Sequence, residues 1–191
     1  MKLSVAIICR NEAESISRCL DSVKAADELV IVDTGSVDNT VQIAQRYTPF
    51  VYTDYKWADD FAAARNHALS KCRGDWTMVI DADNQLLNTI EEVKTECVKA
   101  DAAGNRTVSV RICIGERFSH YLPYLFRRDP AIHFKGAIHN YLTRDDKHLS
   151  DLTYSCWYSP SHSKDPERSL RILQRVNAED DWYYVILDNQ I

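Results

Sequence analysis

The sequence predicts an α/β domain in which a mostly parallel β-sheet carries helices on both faces. Short apolar runs alternate with segments of helical periodicity through the first half of the chain, as in repeated strand–helix units. The first run, Leu3–Cys9, is almost continuously apolar, which is typical of a strand buried on both faces. The connections are short, so successive strands are expected to pair in one sheet.

Each element has its own local signal. Runs of β-branched, aliphatic or aromatic residues predict strands at Leu3–Cys9, Leu29–Val32, Phe50–Tyr52, Trp76–Ile80 and Thr107–Ile114. Apolar residues spaced by three or four predict helices over Glu14–Lys24, after a cap at Ser36 or Asp38, from Asp59 or Asp60 to Gly74, and over about Leu87–Ala100. Strands and helices therefore alternate as far as residue 100.

The second half has a different character. Tyr121–Tyr141 is rich in aromatic residues and is interrupted by Pro123, Pro130 and Gly136. We expect a small mixed or antiparallel extension there. Asp165-Pro166 begins a further helix, with proline at its first position. Its expected buried stripe is Leu170, Leu173 and Val176, and a last helix is expected over Asp180–Ile191.

Composition narrows the class of protein. Of the 191 residues, 45% are hydrophobic and 27% charged, as in ordinary globular domains. The net charge is -5 without a basic stripe, which argues against binding along a nucleic-acid backbone. No apolar run is long enough to span a membrane and no signal peptide is evident. Six widely spaced cysteines predict neither a zinc site nor a disulfide framework. We expect a soluble, cytoplasmic protein.

Polar residues follow three of the predicted strands. They are Arg10-Asn11-Glu12, Asp33-Thr34-Gly35 and Asp81-Ala82-Asp83-Asn84. Ligands of parallel sheets bind outside the carboxyl ends of the strands, so these residues are expected to meet in one crevice. The carboxylates of Asp81 and Asp83 can both approach one Mg²⁺ or Mn²⁺ ion. Such a cation neutralises the charge that grows on a leaving diphosphate.

Four motifs resemble family-2 glycosyltransferases, which have the GT-A fold. They are Leu3–Glu12, Glu28–Thr40, Asp59–Leu69 and Gly74–Asp83, and together they cover about the first 95 residues. Residues Leu125–Arg128 and Phe134–His139 also resemble a later block of one branch, which includes lipopolysaccharide-core and peptide glucosyltransferases. The resemblance implies a metal-dependent enzyme that moves a sugar, of glucose type, from a UDP-sugar to an acceptor.

The resemblance also implies roles on the donor side. Asp33 would hydrogen-bond the uracil or ribose, and Asn11 and Glu12 would border the same pocket. Arg65 would point into the donor site, where its planar fork suits base or phosphate oxygens. Each has a structural alternative: Asp33 could bond nearby backbone amides, Glu12 could face the dipole of the following helix, and Arg65 could form a surface ion pair on its own helix.

The metal and the base complete the expected site. Asp83 is predicted to bind Mn²⁺ or Mg²⁺, with Asp81 assisting through metal-bound water or ribose. His162 lies in a late loop that resembles the loop supplying a further metal ligand in the same branch. His139 is a candidate catalytic residue, because relatives often have glutamate at the next position, where this chain has Asn140. An inverting transferase needs a base, so Asp145 and Asp146 stay as alternatives, as does a different stereochemical course.

Other functions fit less well. A dehalogenase-like phosphatase would need its D-x-D after the first strand, and a sugar nucleotidyltransferase would need a glycine-rich loop there. A non-catalytic nucleotide-sugar binder is the stronger alternative, because of Asn140 and the short second half. We therefore expect one GT-A domain over residues 1–191, with a donor-binding half at 1–100 and an acceptor side at 101–191. The acceptor could be a glycan, a lipid-linked sugar, a peptide or a modified base.

Overall fold

Alternating strands and helices form the chain in the computed structural model, which describes residues 1–114, 118–156, 165 and 167–175. The strands are β1 Leu3–Cys9, β2 Glu28–Asp33, β3 Val51–Tyr52, β4 Trp76–Val79, β5 Asn84–Leu86, β6 Thr107–Ile114, β7 Phe118–Arg127, β8 Phe134–Lys135, β9 Tyr141–Leu142 and β10 Leu149–Cys156. The helices are α1 Ile16–Val23, α2 Thr40–Ala44, α3 Phe61–Lys71, α4 Ile90–Ala102 and α5 Arg168–Leu173.

One large sheet organises these elements in the order β3-β2-β1-β4-β7-β6-β10-β5. The strands β3, β2, β1 and β4 run parallel to one another. Strand β7 is antiparallel to both β4 and β6, β10 is parallel to β6, and β5 runs antiparallel along the outer edge of β10. A separate ribbon pairs β8 with β9. The predicted α/β class with a mostly parallel sheet is confirmed.

The core lies on both faces of the parallel strands. Every residue of β4, and all but Ile8 in β1, is buried, because helices and loops cover both faces. Helix α1 buries the predicted residues Ile16, Cys19, Leu20 and Val23. Helix α3 begins at the predicted cap, where the Asp60 carboxylate accepts a hydrogen bond from the Ala63 amide at 2.8 Å. This cap fixes the helix that carries Arg65.

The antiparallel pairing predicted for Tyr121–Tyr141 is confirmed, but its first part belongs to the large sheet and is not a separate extension. Strand β7 lies inside the large sheet, between β4 and β6. The proline that argues against a central strand, Pro123, falls where the β6–β7 register shifts between the Val108 and Val110 pairs. Proline cannot donate a ladder hydrogen bond, and a bulge removes that need.

Two helix predictions also need correction. The helix expected from about Leu87 begins at Ile90, because Thr89 caps it in a box with Glu92, and β5 ends before it at Leu86. In α5 the buried residue is Ile172, whereas Leu170 is 57% exposed. Val176 and Asp180–Ile191 lie outside the described residues.

No described helix has the length and apolarity needed to cross a bilayer. All six cysteines are free thiols.

Candidate active site

The polar ends of β1 and β4 meet in one cleft of about 580 Å³, a volume typical of small-molecule sites. Arg10-Asn11-Glu12 and Asp81-Ala82-Asp83-Asn84 line it, and Thr34 reaches it from the end of β2. The strands place these residues at the same edge because β1, β2 and β4 are parallel neighbours. The crevice expected from the sequence therefore exists, and Asp33 is the predicted donor residue that does not line it among the described residues.

A half-buried ion pair joins α3 to the end of β4. Arg65 Nη2 donates to Asp81 Oδ1 at 2.6 Å, and the arginine is only 6% exposed. Its guanidinium also lies 5.3 Å from the Tyr124 ring centre and 5.4 Å from that of Phe134. Burial by itself lowers the pKa of Arg65, but the Asp81 charge reverses this and holds it above its ordinary value. Arg65 is thus no surface residue paired within its own helix.

Arg65 and Asn84, both in the described cleft lining, have polar atoms without a hydrogen-bond partner. Nε and Nη1 of Arg65 are buried without hydrogen-bond partners in the described part of the chain, and so is Oδ1 of Asn84. Leaving such a group unpaired costs about 1–3 kcal/mol. Both side chains line the cleft, so their unpaired atoms make them candidates for contact with a ligand.

The carboxyl-rich turn after β4 suits a hard cation. Asp81 and Asp83 both line the cleft, and the unpaired Asn84 oxygen beside them is also a type of ligand that Mg²⁺ and Mn²⁺ accept. Within the described ranges, no group of three or more histidine, cysteine, aspartate or glutamate side chains is arranged to hold a metal. His162, the predicted further ligand, lies outside those ranges. The residues present fit a cation that takes its other ligands from a diphosphate or water.

Asp33 stabilises the turn that follows β2. Its carboxylate accepts hydrogen bonds from the Gly35 amide at 3.0 Å, the Ser36 amide at 2.9 Å and the Ser36 hydroxyl. Gly35 has a φ of 109°, a conformation that favours glycine. The alternative role of Asp33, hydrogen bonding to nearby backbone amides, is therefore observed. Contact of Asp33 with a nucleoside stays a prediction.

Asn11 and Glu12 connect this turn to the start of α1. The Asn11 side-chain oxygen accepts from the Val37 amide at 2.8 Å, and Asn11 has a left-handed φ of 57°. The Glu12 amide donates to Thr40 Oγ1 at 2.8 Å, and its carboxylate accepts a bond from the Ser15 hydroxyl. Both residues line the cleft, and their position at the border of a nucleotide-base pocket stays a prediction.

The predicted base lies elsewhere. His139 is exposed in the turn between β8 and β9 and is not among the described residues that line the cleft. Of the alternatives, Asp146 accepts bonds from the amides of Arg106 and Thr107 at 2.5 and 3.1 Å, and Asp145 pairs with Lys147 at 2.6 Å. Both therefore stabilise the loop before β10.

Sequence reasoning missed the apolar part of the cleft lining. Five side chains from three neighbouring strands form a surface that we call the apolar wall: Ile112, Ile114, Leu122, Tyr124 and Cys156. Exposed His120 stands at its end, opposite Ile112 across the β6–β7 pair. The cleft lining also includes seven charged residues, which we call the charged side: Arg10, Glu12, Arg65, Asp81, Asp83, Asp165 and Arg168.

Helix α5 contributes the last of these residues. Arg168 lies 5.1 Å from the Phe61 ring centre, and its Nε is buried without a hydrogen-bond partner in the described chain. Arg171 holds the helix by donating to Asp59 at 3.4 Å and to Asp165 at 2.9 Å, and Arg175 adds a 2.6 Å bond to Asp59. We call these ion pairs the α5 clasp. They keep Arg168 against the cleft.

Comparison with known proteins now identifies the family. The model of glycosyl transferase family 2 matches residues 4–151. The chain belongs to glycosyl transferase family 2. The matched range includes β1, the Asp81–Asp83 turn and most of the apolar wall, so the family resemblance of the four motifs is confirmed.

Relatives within this family vary in kind. A TPR repeat-containing protein of Synechococcus elongatus is 39% identical over 141 residues, which are 72% of this chain and 34% of that protein. The lipopolysaccharide core biosynthesis glycosyltransferase LpsC of Rhizobium meliloti is 33% identical over 52% of this chain and 38% of its own length. The chain thus spans about a third of the length of these relatives.

Solved structures agree on the fold. TarS of S. aureus, crystallised with UDP-GlcNAc, superposes with a TM-score of 0.63 at 18% identity, over 85% of this chain and 61% of that one. At that identity the likeness shows the GT-A fold, as predicted.

Proposed function

We propose that the chain is the catalytic domain of a metal-dependent glycosyltransferase that moves a hexosyl group from a UDP-sugar. The observation that carries this proposal is the cluster at the end of β4, where Asp81, Asp83 and Asn84 face one cleft with Arg65. Its carboxylates suit a cation and its arginine suits phosphate. Family membership and the UDP-GlcNAc complex of TarS support the donor class.

The donor is proposed to lie along the charged side. Asn11, Glu12 and the Asp33 turn would take the uridine at the ends of β1 and β2. Asp83 and Asn84 would hold Mn²⁺ or Mg²⁺, with Asp81 assisting and His162 completing the set. When bound, the cation supplies positive charge against the diphosphate leaving group.

Two arginines would bind the diphosphate alongside that cation. Arg65 offers the unpaired Nε and Nη1 donors, and Arg168 offers its unpaired Nε. Charge-assisted hydrogen bonds of this kind are about twice as strong as neutral ones. Because Asp81 fixes Arg65 and the α5 clasp fixes Arg168, these donors need little reorganisation when charge develops on the leaving group.

In the transfer, the bond between the anomeric carbon and the diphosphate oxygen breaks, and its electron pair leaves with UDP. A bond forms from the same carbon to an acceptor oxygen, whose proton passes to a base. We keep His139 as the proposed base and set it against His120, which lines the cleft. Loss of turnover in His139→Ala, with His120→Ala unaffected, supports His139, and the reverse result moves the role to His120.

Turnover of the donor tests the function. The chain should release UDP from UDP-glucose with Mn²⁺, and release should stop with EDTA and in Asp83→Asn. A matched control is Asp145→Asn, a carboxylate paired with Lys147 in the loop before β10, which should keep wild-type turnover. Absence of UDP release by the wild type in the presence of Mn²⁺ would refute the catalytic proposal.

The second candidate is a non-catalytic nucleotide-sugar binder. Asn140 favours it, since this side chain cannot act as a base at the position where relatives often carry glutamate. Such a protein would bind UDP with Mn²⁺ and release nothing from UDP-glucose. Calorimetry with UDP and GDP also tests the preference for uracil over guanine, because the proposed role of Asp33 predicts tighter binding of UDP.

A further inference from the structure

One asparagine links two parts of the fold that are far apart in sequence. Asn66 lies in the middle of α3, and 68 positions separate it from Phe134 in β8. Its Nδ2 donates to the Phe134 carbonyl at 2.9 Å, and its Oδ1 accepts from the Phe134 amide at 2.8 Å. A carboxamide offers both a donor and an acceptor, so Asn66 pairs with this backbone as a neighbouring strand would.

Strand β8 is held against α3 by these bonds. It has only two residues and pairs with β9 in a ribbon separate from the large sheet. Phe134 is 2% exposed, and buried backbone groups need hydrogen-bond partners. A further bond, from the Phe61 amide to the Ala137 carbonyl at 2.8 Å, fixes the turn of the ribbon. Helix α3 therefore holds the ribbon through a side chain at its centre and an amide at its start.

The ring of Phe134 connects this contact to the cleft. Its centre lies 5.4 Å from the Arg65 guanidinium, which also lies 5.3 Å from the Tyr124 ring centre and donates to Asp81 at 2.6 Å. Two rings and a carboxylate thus surround an arginine that is 6% exposed and lines the cleft. A binding side chain is held accurately when packing and further hydrogen bonds lock its rotamer.

We infer that Asn66 is a positioning residue: by fixing the Phe134 backbone, it keeps the ring against Arg65 and the guanidinium where the diphosphate would bind. The last step rests on the proposed function, to which the diphosphate role of Arg65 belongs. Asn66 is not among the described residues that line the cleft, so it acts through Phe134. Without Asn66, the buried Phe134 amide and carbonyl would lose these partners, which is costly, and β8 would shift to find others.

The position of Arg65 can be measured without any ligand. Its Nε is buried, so the Nε–H proton should be visible in ¹H–¹⁵N spectra, and nearby aromatic rings shift such protons. Asn66→Ala should move the Arg65 resonance in the direction in which Phe134→Leu moves it. The control Asn105→Ala, which removes a 2.9 Å bond to His148 before the start of β6, should leave it in place. An unchanged Arg65 resonance in Asn66→Ala would overturn the inference.

Nucleotide binding tests the consequence. With Mn²⁺, the UDP affinity of Asn66→Ala should fall about tenfold, near the lower end of what losing one hydrogen bond to a charged group causes. Uridine affinity should stay unchanged, because uridine has no phosphate, whereas a general loss of structure would weaken both ligands. Added to Arg65→Met, the same change should have no further effect on UDP, since residues that share one contact are not additive. Additive losses in the double variant would contradict the inference.

The outcomes separate this inference from the proposed function. If the wild type does not bind UDP with Mn²⁺, the proposed function fails, and the Arg65 resonance still decides whether Asn66 positions that side chain. If UDP affinity depends on Arg65 but is unchanged in Asn66→Ala, the inference is overturned while the donor proposal stands. Should Asn66→Ala fail to fold, Asn66→Asp replaces it with the same expected outcomes, because a carboxylate accepts from the Phe134 amide but cannot donate to the Phe134 carbonyl.

Discussion

The charged side and the apolar wall are built in different ways. The charged side consists largely of residues that follow strand ends, held by specific pairs such as Arg65–Asp81 at 2.6 Å. The wall consists of side chains within strands, held by the ladder of the sheet. The positions of the charged residues therefore depend on individual polar contacts, whereas those of the wall residues depend on strand pairing. Single substitutions should therefore act strongly and locally on the charged side and more weakly on the wall.

The largest expected effect is the loss of metal-dependent nucleotide binding in Asp83→Ala. A bound cation contributes several kcal/mol to holding a diphosphate, so UDP affinity in Mn²⁺ should fall about a hundredfold. Calorimetry of UDP in Mn²⁺ and in EDTA measures this. In EDTA the variant and the wild type should bind UDP equally weakly, and equal affinity of both proteins in Mn²⁺ would remove Asp83 from the metal site.

Next in size is the stability effect of Arg65→Met. The change leaves Asp81 without its cation beside a buried cluster, and breaking a fully buried pair costs about 3–5 kcal/mol. Asp81 is 36% exposed, so solvent screening reduces the expected loss to about 1–3 kcal/mol. Urea unfolding gives the value.

The matched control is Arg106→Met, which breaks a surface pair with Asp129 and should cost under about 1 kcal/mol. Asp81→Asn added to Arg65→Met should recover part of the loss. If both arginine variants lose the same free energy of unfolding, the Arg65–Asp81 pair stabilises the fold no more than a surface pair does.

A smaller effect is expected at α5. Arg168→Met should weaken UDP binding about tenfold, since a hydrogen bond to a charged group contributes about 1.5–3 kcal/mol, and should leave uridine binding unchanged because uridine has no phosphate. Arg106→Met, which lies outside both the described cleft lining and the α5 clasp, serves as the control. A parallel loss for uridine would assign Arg168 a structural role only.

The smallest effect concerns the α5 clasp and pH. Hydrogen bonds from Arg171 hold the pKa values of Asp59 and Asp165 below their ordinary range. A lowered carboxyl pKa adds stability above the unfolded value of about 3.9, and that stability disappears as the pH falls through the folded value. Arg171→Met should thus melt a few degrees below the wild type at pH 7. The two should melt alike below about pH 3, and a gap that persists there would contradict the electrostatic account.

The parts of this site that the sequence predicts are those with local signals. Apolar runs locate β1, β2 and β4, and the polar residues after them are adjacent in sequence. The wall depends on the antiparallel pairing of β7 with β4 and β6, and no short sequence pattern around Pro123 predicts that pairing. Strand β5 spans only Asn84–Leu86 and has too few residues to show a period.

The pairing of side chains also could not be predicted from the sequence. Arg65 was expected near the donor, but the Asp81 partner 16 residues away follows only from the packing of α3 against β1 and β2. The unpaired oxygen of Asn84 is likewise a property of its surroundings. Arg168 could have been suspected from its place soon after the His162 loop, but its contact with Phe61 depends on the tertiary fold.

The most direct test of the central claim is a crystal of the chain grown with UDP and Mn²⁺, with anomalous data collected at the manganese edge. One strong anomalous peak is expected beside Asp83 and Asn84, with the uridine at the ends of β1 and β2 and the diphosphate near Arg65. A manganese peak elsewhere, or UDP lying on the apolar wall, would contradict it.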